Sequence, residues 1–176
     1  GRPSIAVLYF ENNTGTPQLD WLRTGLTDML VTDLSQSPDL DVLGTDRLVQ
    51  ILRQLGRQDD KVLGADVMQE VARRAGVKTV LVGSYMKAGD TIRINLRMQE
   101  AASGRIITSE RVEANGESNI FPMVADLIRR VKAKFTIPGA GGVTALFKAP
   151  GAKASNANDD TFDRDLREVT TSSIEA

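Results

Sequence analysis

A chain of 176 residues, 41% hydrophobic and 26% charged, has room for one packed core and an appendage. Its net charge of -1 is evenly spread, with 18 basic against 17 acidic residues over 1–135 and 4 against 6 over 136–176, so no segment has the basic excess that nucleic-acid binding requires. Cysteine and histidine are both absent, which excludes disulfides, thiolate nucleophiles, Ser–His pairs and HExxH metal sites.

Residues 4–10 (SIAVLYF) are a continuous apolar run of strand length. Glu11-Asn12-Asn13-Thr14-Gly15-Thr16-Pro17 closes it with turn formers, which predicts a buried strand. From Gln18 to Ser37 the apolar residues Leu19, Leu22, Leu26, Met29, Leu30 and Leu34 make a helical stripe that Pro38 ends. Residues 40–43 read as a short strand. A helix follows from Thr45 or Asp46, buried through Leu48, Ile51, Leu52 and Leu55 and stopped at Gly56. Asp66 opens another, with Met68, Val71, Ala72 and Ala75 inward and Gly76 at its C-terminus.

Residues 77–85 (VKTVLVGSY) predict a second buried strand. Ile92, Ile94, Leu96 and Met98 then alternate with Arg93, Asn95, Arg97 and Gln99, the period of a strand with one wet face. Turns at 88–90 and 102–104 make residues 85–112 a three-stranded antiparallel meander. Asn115-Gly116 leads into a last helix with Phe121, Val124, Ile128, Val131 and Phe135 on one stripe. The order βαβααβββα defines an α/β fold, a mixed sheet with helices packed on it and an antiparallel meander in its second half.

The expected domain is therefore 4–135. Residues 136–176 read as a linker, rich in Gly, Ala and Pro and then polar and acidic. At its end Ser172-Ser173-Ile174-Glu175 has the spacing of a capping box, which suggests a helix cut short. The opening Gly1-Arg2-Pro3-Ser4 suits a tag scar or a cut made just before a domain better than a native start. No apolar run approaches the roughly 20 residues that cross a bilayer, and no signal peptide is evident, so no membrane contact by this fragment is expected.

Most chemical motifs fail on context. Gly139-Ala140-Gly141-Gly142 has no Lys-Ser/Thr after it and no strand before it, unlike a phosphate loop. Asn156, Asn158, Asp160 and Asp163 lack the sharp-turn glycine of a calcium loop, and Arg167 stands at the position of its bidentate Glu. Gly83-Ser84-Tyr85 lacks the upstream glycine of a nucleophile elbow. Two binding candidates remain. The loop after the first strand, with Glu11, Asn12, Asn13, Asp20 and Trp21, leaves a parallel-type strand where α/β sheets bind ligands. Its plainer reading is that the asparagines bond the turn while Trp21 packs beside it. Arg93 and Arg97, on the wet face of the meander, suit an acidic partner or a merely solvated surface.

The opening SIAVLYFENN of residues 4–13 and DWLRTGLTD of residues 20–28 resemble the TolB amino-terminal-like domains of bacterial signalling proteins. Residues 77–83, 89–94 and 103–107 are similar to the same family's central strands, with Tyr9 where the family usually has proline. Residues 166–176 resemble the lead-in to tetratricopeptide repeats. The resemblance implies a non-enzymatic sensor or protein-interaction module, without a catalytic residue, that links an output domain to such repeats; with the usual nitrogen and sulfur ligands missing from the sequence, no metal is expected, and no cofactor either. A parent of the eukaryotic-like serine/threonine kinase type would place it on the extracytoplasmic side of a membrane; members behind DNA-binding or cyclase domains are cytoplasmic. A small-ligand-binding domain using the first loop is the alternative.

Overall fold

The structure, a computed structural model, describes residues 2–135. The expectations placed on the linker, the glycine cluster, the polar stretch and the capping box lie outside the described residues.

Strand β1 (Ser4–Val7) is buried throughout and lies in the middle of the parallel half of the sheet. It pairs in parallel with β3 (Asp41–Val42) and with β4 (Thr79–Ala88). Strands β4, β5 (Thr91–Glu100) and β6 (Ile106–Asn115) form the antiparallel meander, giving the order β3-β1-β4-β5-β6. The mixed α/β sheet is the architecture expected from the sequence. Helices α1 (Leu22–Leu34), α2 (Thr45–Gln54), α3 (Ala65–Ala75) and α4 (Ile120–Ala133) complete it. Gly76 ends α3 with φ +69°, a left-handed turn that suits a residue without Cβ.

Two elements differ from the sequence pattern. The first apolar run does not pair unbroken to Phe10. Ile5, Ala6 and Val7 oppose Thr79, Val80 and Leu81, and pairing resumes in a two-residue strand, β2 (Glu11–Asn12), opposite Ser84 and Tyr85. Three residues, Leu8, Tyr9 and Phe10, thus face two, Val82 and Gly83, which is a bulge in a parallel pair. An apolar run has no mark for such an insertion. Its structural cause lies across the sheet: a Cβ on Gly83 would sit 2.4 Å from Phe10 Cε2 and 2.5 Å from the Asn95 carbonyl, so the Phe10 ring occupies space that only glycine leaves.

The second difference is on α4. Its buried stripe runs through Ile120, Met123, Val124, Leu127, Ile128 and Val131, the i, i+3, i+4 series that starts one residue before Phe121. Phe121 falls off that face and is 66% exposed rather than inward.

Alternation sorts the two sheet faces. Ala6, Leu8, Val80 and Val82 pack with Leu48, Ile51 and Leu52 of α2 and Val67, Val71 and Ala72 of α3. The opposite face carries Ile5, Val7, Leu81 and Tyr85 together with Ile92, Ile94, Leu96 and Met98, all buried beside α1 and α4. The register of β5 is therefore as its alternation predicts. Beyond Val82 no described helix covers the first face, so Arg97, Ser109 and Arg111 are exposed there.

Candidate functional site

The bulge after β1 creates backbone groups with no ladder partner, and α1 supplies partners for them. Thr27 Oγ1 donates to the buried Leu8 carbonyl at 2.6 Å, and the Phe10 N–H donates to the Arg23 carbonyl at 3.0 Å. The threonine and arginine of the second motif thus pin the end of β1 to the helix that follows.

Asn12 organises the loop between them. Its Nδ2 donates to Asp20 Oδ1 at 2.6 Å and to the Thr16 carbonyl at 3.2 Å. Its Oδ1 accepts from the Thr14 N–H at 2.9 Å and from Thr14 Oγ1 at 2.6 Å. Every polar atom of that side chain is spent on the loop itself. Asn13 contributes through its backbone, whose N–H donates to the Tyr85 carbonyl at 2.8 Å. Trp21 is 48% exposed, with its ring edge 3.2 Å from where a Cβ on Gly25 would lie. The structure therefore brings Asn12 and Asp20 together as turn-building groups.

A cleft of about 330 Å³ opens beside this loop, lined by Glu11, Asn12, Asp20 and Arg23 and, across from them, Lys61 and Val62. Lys61 Nζ stands 3.9 Å from Asp20 Oδ2. Arg23 reaches over with Nη2 to the Asp60 carbonyl at 2.8 Å, while its buried Nε has no partner among the described residues. Beneath, Tyr85 donates its hydroxyl to the Leu19 carbonyl at 2.6 Å, and burial followed by the nearby Asp20 charge pushes its phenol above the ordinary range. Burial, with Asp28 second, raises Tyr9 likewise. Glu11 is half-buried and makes no hydrogen bond or ion pair to a described side chain. Sequence reading missed Lys61 and Val62, because the segment between α2 and α3 has no periodicity to place it.

Arg93 and Arg97 have separate fates on the open face. Arg93 Nε donates to Glu113 Oε2 at 2.7 Å across β5 and β6, so its charge is already matched. Arg97 donates from Nε to Gln99 at 2.8 Å and retains its other guanidinium donors. Register places Arg97 opposite Ser109 and Asn95 opposite Arg111, so two guanidiniums stand diagonally with a hydroxyl and an amide between them. The Arg111 guanidinium makes no hydrogen bond or ion pair among the described residues. An open trough of about 560 Å³ is lined by these four, by Ser84 and by Arg130, with Glu110 at its edge held by Arg130 at 3.6 Å and Lys134 at 3.5 Å. Arg111 was legible in principle, since buried Val112 fixes its outward register. Among the described residues no group of three Asp or Glu side chains is placed to hold a metal ion.

No family model matches the chain. It is 32% identical over 130 residues to "Putative adenylate cyclase 3" of Rhizobium meliloti (strain 1021), a match that covers 74% of this chain and 20% of that protein. The chain thus spans about a fifth of the length of the curated relative it matches. The LpoB C-terminal domain from Salmonella enterica shares the fold, with a TM-score of 0.55 at 19% identity over 64% of this chain and 82% of that one. Lipoprotein GNA1162 from Neisseria meningitidis does so with a TM-score of 0.52 at 16% identity over 73% and 95%. TolB from Acinetobacter baumannii matches more loosely, with a TM-score of 0.47 at 13% identity over 80% and 29%. With the LpoB domain and GNA1162, at these identities, the fold alone is shared.

Proposed function

We propose that this chain is a non-enzymatic protein-interaction module of a larger bacterial signalling protein, and that it contacts an acidic surface of its partner through the open face of β4, β5 and β6. The uncovered sheet face carries the reading: Arg97 and Arg111 stand there with free guanidinium donors beside Ser84, Asn95 and Ser109. Guanidinium forks match carboxylates in geometry as well as charge. Two such groups fall short of the roughly 6–10 phosphate contacts a nucleic-acid duplex engages, so a protein is the better-fitting partner.

The match to about a fifth of a cyclase-named protein supports a segment within a longer chain, and favours a cyclase over a kinase as the output domain. The module then joins that domain to tetratricopeptide repeats, as a TolB amino-terminal-like domain would. The lipoprotein among the fold neighbours favours an extracytoplasmic, membrane-anchored parent, and the cyclase name favours the cytoplasm. Among the described residues no helix is long and apolar enough to cross a membrane. Reporter fusions to either end of the parent gene distinguish the two compartments.

The test is photo-crosslinking in cells from position 109 of the parent, with an exposed position on α2 such as Arg53 as control. The expected result is one protein adduct from position 109 that disappears with Arg97→Glu and Arg111→Glu together. Absence of any adduct, or one indifferent to the charge reversal, rejects the proposal.

A second reading rests on the cleft at Glu11, Arg23 and Lys61, where Glu11 and the buried Arg23 Nε lack partners. A small ligand there raises the melting temperature in a metabolite screen, and Lys61→Ala or Asn12→Ala removes the rise. Failure of every ligand class to shift it leaves the protein-interaction reading alone.

A further inference from the structure

The opposite face of the sheet carries a second surface of different chemistry, one that no described residue covers. Helices α1 and α4 meet along a groove of about 290 Å³ walled by Asp28, Met29, Thr32 and Asp33 and by Phe121 and Ala125 over a buried floor. Phe121 is two-thirds exposed at its wall. Trp21 precedes the groove on the same side of α1, since positions 21, 25, 28 and 32 recur at helical spacing, and it is half exposed. An exposed Phe at the wall of a preformed apolar groove, with an exposed Trp two turns along the same side of α1, is the kind of side chain that anchors protein contacts.

The charge on the rim selects the occupant. Asp28 and Asp33 make no ion pair with a described residue. On α4, Arg129 and Arg130 are engaged by Asp126, and Arg130 with Lys134 by Glu110. An apolar channel with unpaired carboxylates along one wall fits a helix whose apolar stripe is flanked by Lys or Arg. The same carboxylates repel anionic lipid headgroups and nucleic acid.

We propose that the groove between α1 and α4 docks a basic amphipathic helix of a partner protein. This goes beyond the open-face reading, because the groove lies on the other side of the sheet. One module then holds an acidic surface on one face and a basic helix on the other, which is what a relay between two domains requires.

The test titrates the full 176-residue chain with two designed helical peptides of about 18 residues, long enough to hold a helix on docking. Both carry the same leucine stripe; one is flanked by lysine and the other by glutamate. Binding is read by calorimetry and by a blue shift of Trp21, the sole tryptophan. The lysine peptide binds at least about tenfold tighter, and Phe121→Asp weakens it by about tenfold or more. Asp28→Lys with Asp33→Lys inverts the preference, while Arg97→Glu with Arg111→Glu leaves lysine-peptide binding no weaker. Phe121 is exposed, so its substitution leaves the fold intact, and unchanged circular dichroism verifies this. Equal affinity for the two peptides, no binding, or binding indifferent to Phe121→Asp overturns the proposal. Binding of anionic vesicles in place of the lysine peptide does so too.

Discussion

The junction between β1 and α1 and the stretch of open face around Arg97 and Arg111 use their polar side chains in opposite ways. At the junction Asn12, Asp20 and Thr27 are bonded to one another or to backbone left unpaired by the bulge. On the meander, the Arg111 side chain bonds to nothing described and the Arg97 guanidinium only to the neighbouring Gln99. The segment most conspicuous as a motif is thus a joint, and the surface free to meet a partner lies in ordinary strand alternation. A motif marks where the chain must be a particular sequence; that requirement is as often mechanical as chemical.

Breaking the joint has the largest expected effect. Gly83→Ala places a methyl group against both the Phe10 ring and the Asn95 carbonyl, and is expected to cost about 3 kcal/mol in urea unfolding as the bulge or the ring gives way. Thr27→Val keeps the shape but orphans the buried Leu8 carbonyl, for a loss of about 2 kcal/mol. If either variant unfolds at the wild-type midpoint, the joint is less important than its geometry implies.

Tyr85 sharpens the same side of the comparison. Tyr85→Phe loses the bond to the Leu19 carbonyl, at about 1 kcal/mol. Because the folded protein holds this phenol above its ordinary value, its contribution is fully present below an unfolded pKa of about 10 and is lost as pH rises through the higher folded value. Wild-type stability should therefore fall in the alkaline range more steeply than that of Tyr85→Phe. Parallel alkaline curves would contradict this. Glu70 supplies the smallest effect. Hydrogen bonds from Arg73 and then Arg74 draw its carboxyl down to about 2, so its stabilising contribution is present above the ordinary carboxylate range and fades as pH falls toward that value. The group is exposed and solvent-screened, so Glu70→Gln should barely move the neutral melting temperature.

Much of the fold was legible because its signals are local. The continuous run at residues 4–10 announced a strand covered on both faces, and the alternation of Ile92 to Met98 fixed which side of β5 is buried. The bulge was not legible, since it depends on Phe10 meeting Gly83, 73 positions away. The outward place of Phe121 was not legible, because two stripes one residue apart are similarly apolar there and packing on β6 buries Ile120 and Leu127. Arg93 and Arg97 looked equivalent on their strand. Their difference comes from β6, which supplies Glu113 to one and Ser109 to the other. Site properties that arise between strands need the register, and the register is set by the whole sheet.

The two charges that distinguish the open face should matter for binding and little for stability. Arg97→Glu with Arg111→Glu is expected to leave unfolding within about 0.5 kcal/mol, as surface substitutions do. The most direct test of the account is amide NMR of the chain titrated with an Asp/Glu-rich peptide. The predicted result is shifts centred on Ser84, Asn95, Arg97, Ser109 and Arg111, lost in the double charge reversal. Shifts gathered instead on the loop from Glu11 to Trp21, with the open face silent, would contradict it.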